Sequence, residues 1–393
     1  MAAGPGACSI DARAALITAE RTLTKDPALS EKTIVLVNHL YEPGGRITGV
    51  SNYLFSLLSA LVERDNFTFA LATNWRRDDL PPELRDSRLR VETFALPAST
   101  PLNIARQIRA LPRLMRRHGA AIEFNVNPVG GFMRDWPRII TLHDLYFDVM
   151  RSAYKAHHVL WWRIFFALSH RAADRIICVS RQTKADLAHH HPSSAARAIV
   201  VHSAACLRPD GPVDAARKPY GIFVANVAPN KGADVLVAAM RCLKQRGVSL
   251  DILHVGRDDQ GIIAAAQRRL GTDAGPRALG PVDRDALAEL YRGARFLAFP
   301  STREGFGLPV LEAQSFGAPV VATDIPVLRE VAGAGALYFR EGDAEGMAND
   351  MRALNDDADL WRHVHAAALA NAAGFSWDKA ASEIEGVLAQ LLR

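Results

Sequence analysis

At 393 residues and 42.9 kDa the chain is too long for one ordinary domain, and two are the natural expectation. Its 49% hydrophobic and 23% charged residues are those of a soluble globular protein, and no apolar run approaches the roughly 20 residues needed to cross a bilayer. The net charge of +5 is uneven: residues 1–215 carry 27 Lys and Arg against 20 Asp and Glu, and the rest is slightly acidic, so the first half is the one expected to meet an anionic surface or acceptor.

Residues 1–31 lack a basic start and a continuous apolar stretch, and read as an N-terminal extension rather than a secretory signal. TIVLVNHLY (33–41) then reads as a strand and YLFSLLSALVER (53–64) as an amphipathic helix. Between them, GGRITG (44–49) resembles a phosphate-binding loop in its glycine spacing. Val50 and Ser51 stand where that loop needs Lys and Ser or Thr, which argues against an ATPase. Gly49 at a helix start still permits close approach of phosphate or sugar to free N–H groups, or a plain tight turn.

TFALATN (68–74), RIITLHD (138–144) and RIICVS (175–180) follow as apolar strands alternating with helical stretches. The helical ARQIRALPRLMRRHG (105–119) sets five arginines around Ile108, Leu111 and Leu114. This is either a solvated face or a surface for anionic lipid. His143 ends its strand next to Asp144, so it can project beyond the sheet or be a satisfied structural histidine. Asp144 can orient it or cap the next segment. VLWWRIFFALSH (159–170), broken by Arg163, reads as a buried amphipathic helix. His189, His190 and His191 before Pro192 read as a solvated turn rather than a metal site.

CLRPDGPVDAARKP (206–219) is rich in Pro, Gly and charge with little periodicity, and is the expected domain boundary. A second strand series starts at YGIFVANV (220–227) and continues through LDILHVG (250–256), RFLAFPS (295–301) and APVVATD (318–324). HVGRDD has one glycine and no dinucleotide fingerprint. Alternating β and α in both series predicts an α/β chain of two Rossmann-like doubly wound domains facing across a cleft, over 32–212 and 213–375.

EGFGLPVLE (304–312) lies between the strand ARFLAFPS and an apolar helix opened by Pro309. Glu304 falls on the loop after a strand and Glu312 in the next helix, where open α/β sheets bind ligands. Two carboxylates flanking free N–H groups at a helix start suit a polyhydroxylated molecule carrying phosphate, such as a nucleotide-sugar. Asp357-Ala358-Asp359 has the spacing of a metal-binding triplet but reads more simply as a helix start. Cys8, Cys178, Cys206 and Cys242 show no metal-ligand or CxxC spacing and point to a reducing compartment, hence a cytoplasmic protein.

The run from Leu297 to Gly342, with PST before EGFGLPVLE and AQSFGAPVVATDIPVLREV after it, resembles the signature of the group 1 (family 4) retaining glycosyltransferases. That family is built on the GT-B fold, and its closing segment, here from FSWDKAA into 376–393, returns to pack on the N-terminal domain. The resemblance implies that Glu304 holds the donor sugar's hydroxyls and Glu312 the ribose. Backbone N–H groups of Phe306, Gly307 and Leu308 would hold sugar or phosphate oxygens, and Lys231 would neutralise the departing diphosphate. It also implies that His143 approaches the sugar from the facing domain.

Two departures stand out. Asn226 occupies the family's usual Arg position before Lys231-Gly232, and Asn52 replaces the basic residue of the first glycine loop. Asn226 can donate hydrogen bonds instead, or Arg303 or Arg46 can take the missing cation's place. The implied reaction is metal-independent hexosyl transfer, with a mannosyl donor favoured, from a GDP- or UDP-sugar to a glycan or lipid-linked acceptor of surface polysaccharide. It needs no cofactor, metal or nucleic acid, and suits a protein peripheral on the inner face of the cytoplasmic membrane. The alternatives are a catalytically weakened nucleotide-sugar-binding subunit and, further off, a two-domain epimerase or phosphorylase.

Overall fold

The computed structural model describes residues 32–40, 48–95, 100–132, 135–146, 156–214 and 216–393. The expected extension over 1–31, and Gly44 to Ile47 of the first glycine loop with Arg46, lie outside them. Residues Ile34–Arg393 form one compact unit that contains both sheets.

The first sheet has seven strands: β1 Ile34–His39, β2 Thr68–Thr73, β3 Arg90–Thr93, β4 Ile122–Asn125, β5 Arg138–Leu142, β6 Arg175–Cys178 and β7 Ala198–Val200. They run parallel in the order β3-β2-β1-β4-β5-β6-β7. The second sheet holds β8 Tyr220–Val224, β9 Asp251–Val255, β10 Arg277–Gly280, β11 Phe296–Phe299, β12 Val320–Thr323 and β13 Ala336–Phe339. Its order is β10-β9-β8-β11-β12-β13, again parallel. Both sheets therefore reverse strand order beside their first strand, at β1/β4 and at β8/β11. Such a reversal opens a crevice at the strands' C-terminal ends.

Five of these strands carry too weak a pattern to read. β3, β10 and β13 are partly exposed edges, and β7 has only three residues. β4 is wholly buried yet spells Ile-Glu-Phe-Asn, because Glu123 meets Arg138 of β5 at 2.7 Å with both side chains 1% exposed.

The basic stretch is a helix over Thr100–His118 that keeps Pro112 inside it. Leu111, Leu114 and Met115 are buried, while Arg106, Arg109, Arg113, Arg116 and Arg117 are exposed. The apolar helix expected to be buried, Ala156–Ala172, is so on one side only. Phe166, Ser169 and His170 fill its inner face, which turns Leu160, Ile164 and Leu168 outward at 44–61% exposure. His191 is not a bare turn residue either, since its ring packs on Phe166 and His170 at about 5 Å. Asp357 does start a helix: its carboxylate caps Ala358–Ala373 by accepting from the N–H groups of Asp359 and Leu360.

The final helix, Trp377–Leu391, lies against the helix Gly49–Glu63. Arg64 pairs with Glu385 at 2.7 Å, the Tyr53 and Trp377 rings meet edge to face, and Trp377 donates to the carbonyl of Ala205.

Candidate active site

The loops after β8 and β11 meet where the second sheet changes direction. Gly232 makes this possible. It sits at φ 63°, and a Cβ there would lie 2.0 Å from the carbonyl oxygen of Pro300, so only glycine lets the two loops close. Lys231 just before it reaches Glu304 at 2.7 Å, with side chains 23% and 9% exposed. Asn230 binds the same loop through its backbone, its carbonyl accepting from Thr302 N–H at 2.9 Å.

Beyond Glu304 the chain turns through Gly305 and Gly307 into the helix Leu308–Ser315, with Pro309 in its first turn. The N–H groups of Phe306, Gly307 and Leu308 find no acceptor among the described residues. Together with Lys231 they form a cluster of donors and positive charge suited to phosphate or sugar oxygens. The Phe306 ring lies in an aromatic group with Phe375 and His202.

Glu312 lies one helical stretch further on, buried, and accepts from Tyr291 Oη at 3.1 Å. Burial pushes its carboxyl up to about 7, against the opposing pull of the Tyr291 hydroxyl. Tyr291 itself is fully buried and stacks on Phe316. It was not legible as a site residue, because an isolated Tyr on an amphipathic helix looks like core.

Asn226 brings no cation of its own. Its Oδ1 accepts from the backbone N–H of Arg257 at 3.1 Å, which fixes the chain as it leaves β9. Asn226 thus anchors the segment bearing Arg257, a residue in the HVGRDD stretch where only the absent dinucleotide fingerprint was legible. Arg303 is exposed, and its backbone carbonyl rather than its guanidinium is what the structure engages. Gly49 begins its helix under a cap from Thr48, whose hydroxyl accepts from Ser51 N–H. No described residue lies within 4 Å of the position a Cβ would take there.

The N-terminal sheet supplies the opposite wall. The backbone oxygen of His143 lies so near Gly305 that a Cβ on that glycine would come within 1.8 Å of it. The His143 ring donates from Nε2 to the carbonyl of Val126 at 2.9 Å and meets Tyr53 edge to face at 4.8 Å. A carbonyl only accepts, so Nε2 carries the proton and Nδ1 the lone pair. Burial lowers the imidazole pKa to about 4, which keeps the ring neutral near pH 7. Asp144 caps the following turn by accepting from Tyr146 N–H. Burial, and then the nearby Glu304 charge, push its carboxyl up to about 6, while Lys231 opposes that rise. Asp144 therefore belongs to the electrostatics of the Lys231–Glu304 pair.

A separate cavity of about 190 Å³ lies between Arg181, His202, Glu330, Phe375 and Lys379. It includes neither Lys231 nor Glu304. At its edge Glu330 accepts from the N–H of Arg181 and pairs with His202 at 2.6 Å.

Two family models divide the chain at the junction between its sheets: one described as Glycosyltransferase Family 4 matches residues 47–205, and one described as Glycosyl transferases group 1 matches 218–357. The chain belongs to the group 1, family 4 glycosyltransferases. A D-inositol 3-phosphate glycosyltransferase of Nocardia farcinica is 34% identical over 238 residues, 55% of this chain and 52% of the relative. An O-antigen chain mannosyltransferase B of Escherichia coli is 33% identical over 171 residues, 42% of this chain and 44% of the relative. The chain thus spans about half the length of the curated relatives it matches. Among solved structures, Anabaena HepE in complex with UDP-glucose superposes with a TM-score of 0.69 at 18% identity, covering 91% of this chain and 99% of that one. The likeness shows the fold, two Rossmann-like sheets in the GT-B arrangement.

Proposed function

We propose that this family 4 glycosyltransferase moves a hexose from a nucleoside-diphosphate sugar to a hydroxyl of a glycan or lipid-linked glycan, with retention of configuration and without a metal ion. The observation that carries the reading is the Lys231–Glu304 contact beside three unoccupied N–H groups at a strand-order reversal. The relatives named for mannosyl and inositol-phosphate glycosyl transfer, and a similar fold crystallised with UDP-glucose, support a nucleotide-sugar donor.

In this reading Glu312 accepts from the ribose hydroxyls, and Glu304 accepts from hydroxyls of the donor sugar. Lys231 and the N–H groups of Phe306, Gly307 and Leu308 face the diphosphate, where negative charge grows as the bond from the anomeric carbon to phosphate oxygen breaks. The acceptor oxygen bonds to that carbon on the same face, and its proton passes to the leaving phosphate oxygen. No protein base is then required. The neutral His143 packs against the sugar. Arg257, whose backbone N–H bonds to Asn226 and whose guanidinium lies 3.6 Å from Asp259, is the cation offered in place of the family's usual Arg. Lys231, Arg257 and the N–H groups together provide the countercharge a metal would otherwise supply.

The N-terminal half would hold the protein at an anionic membrane carrying the acceptor. Leu102, Arg106, Arg109 and Arg113 recur at helical spacing on the helix Thr100–His118, and all four are exposed. No helix among the described residues is long and apolar enough to cross a membrane. Nucleoside diphosphate release from GDP-mannose and UDP-glucose, with and without a lipid-linked glycan, tests the reading. Acceptor-dependent release supports transfer, while donor binding without release would favour the non-catalytic subunit.

A further inference from the structure

The Glu304 loop is held from both sides by hydroxyl groups of the opposing domain. On one side, Tyr146 Oη donates to the carbonyl of Arg303 at 2.7 Å. On the other, Thr183 Oγ1 lies 3.2 Å from the carbonyl of Gly305 and 3.4 Å from that of His143. The Arg303 and Gly305 carbonyls are those immediately before and after Glu304. Asn230 completes the first contact, its Nδ2 donating to Tyr146 Oη and to the Arg303 carbonyl, each at 3.1 Å. Tyr146 follows β5 and Thr183 lies in the helix Arg181–His190 after β6, so both belong to the N-terminal sheet's layer. Glu304, Asn230 and Lys231 belong to the other.

We propose that Tyr146 and Thr183 are positioning residues for transfer: two hydroxyls that clasp the Glu304 loop only when the two domains are closed. The inference rests on the reading of Glu304 as the sugar-binding carboxylate. Glu304 sits on a glycine-flanked loop without secondary structure of its own, so its direction is set by what fixes Arg303 and Gly305. Lys231 and Asn230 fix it from within the donor domain in any domain arrangement. Tyr146 and Thr183 add restraint from the domain expected to bring the acceptor. The carboxylate would then reach its working geometry when both domains have met around the substrates, which ties reaction to closure and disfavours hydrolysis of the donor in the open form.

Thr183 is suited to this because its backbone needs are met elsewhere. Its N–H donates to Ser180 Oγ, the cap of its helix, at 3.0 Å. Ser180 Oγ also donates to Thr183 Oγ1 at 2.9 Å, which leaves the Thr183 proton for the carbonyls of Gly305 and His143. Ser180 caps the helix, and Thr183 reaches across.

The test compares Tyr146→Phe, Thr183→Val and Thr183→Ser with Glu304→Gln in the full chain. Steady-state turnover is measured alongside calorimetric binding of GDP and UDP and thermal melting. Loss of either hydroxyl should lower kcat on the order of tenfold, leave nucleoside diphosphate affinity within about twofold, and leave the melting temperature near wild type. Thr183→Ser should restore turnover. Wild-type kcat in both Tyr146→Phe and Thr183→Val, with Glu304→Gln inactive, overturns the clasp while leaving the role of Glu304 standing. Full turnover in Glu304→Gln removes the underlying reading itself. A kcat loss matched by equal loss of diphosphate affinity or of melting temperature would mark the hydroxyls as merely structural, and would also overturn the proposal.

Discussion

On the C-terminal side the site is made largely by backbone. Gly232 lets two loops touch, a glycine-rich turn leaves three N–H groups without acceptors among the described residues, and the strands beneath are apolar from Phe296 to Phe299 and from Val320 to Ala322. On the N-terminal side it is made by side chains drawn from separate elements: His143, Asp144 and Tyr146 after β5, and Thr183 after β6. The sheet below them is also different. Asn38, Gln107, Asn125, Glu123 and Arg138 are buried in hydrogen-bonded contact with one another. A backbone-built site needs a contiguous motif and little else. A site built from scattered side chains needs a polar interior to hold its strands in register.

The largest effect should come from breaking that interior. Glu123→Ala leaves the Arg138 guanidinium buried beside Gly131, whose N–H also donates to Glu123 at 2.9 Å. A loss of about 3–5 kcal/mol is expected in urea unfolding, as for other broken buried pairs. A change below about 1 kcal/mol would show the polar interior to be dispensable and the contrast between the sheets unimportant.

Glu312 sharpens the comparison from the other side. Its carboxyl is pushed up to about 7 by burial, so it protonates as pH falls through that value and loses acceptor capacity for the ribose. The donor's apparent KM should rise as pH drops from 8 to 6 and level off above 8. Glu312→Gln should show a raised KM, on the order of tenfold, without that pH dependence. Ribose contacts are alike in ground and transition states, so kcat should change little. A pH-independent KM in the wild type would remove Glu312 from the donor site.

Arg257→Ala should cost a similar or smaller factor, about tenfold in kcat/KM, if its guanidinium faces the diphosphate. An unchanged value would leave the charge to Lys231 and the N–H groups. The smallest effect is expected at the basic helix. Arg113→Ala should weaken sedimentation with anionic vesicles by about 1 kcal/mol, and the wild-type binding should fade with salt. No binding at low salt would return this helix to an ordinary solvated face.

The same contrast governs what could be read beforehand. EGFGLPVLE is contiguous, so the places of Glu304 after a strand and of Glu312 in the next helix were legible from the residues, whereas Lys231 came only with the family resemblance. Both strand series were legible where strands are apolar. β4 was hidden because Glu123 and Asn125 break its pattern, and the partner that explains them, Arg138, is fifteen residues away. The contacts of Tyr146, Thr183, Tyr291 and Arg257 join distant segments, and no local spacing announces them. The outward apolar stripe of Leu160, Ile164 and Leu168 was read as buried, because periodicity defines an apolar face without saying which way it turns.

The central claim is that Glu304, with Lys231 and a set of N–H groups in place of a metal, forms the transfer centre. It is tested most directly by nucleoside diphosphate release in EDTA from wild-type protein and from Glu304→Ala, with melting temperatures taken in parallel. The account predicts full wild-type activity in EDTA, little gain from Mg²⁺ or Mn²⁺, and a variant that melts normally but turns over on the order of 10²-fold more slowly. Wild-type turnover in Glu304→Ala, or strict dependence on a divalent ion, would contradict it.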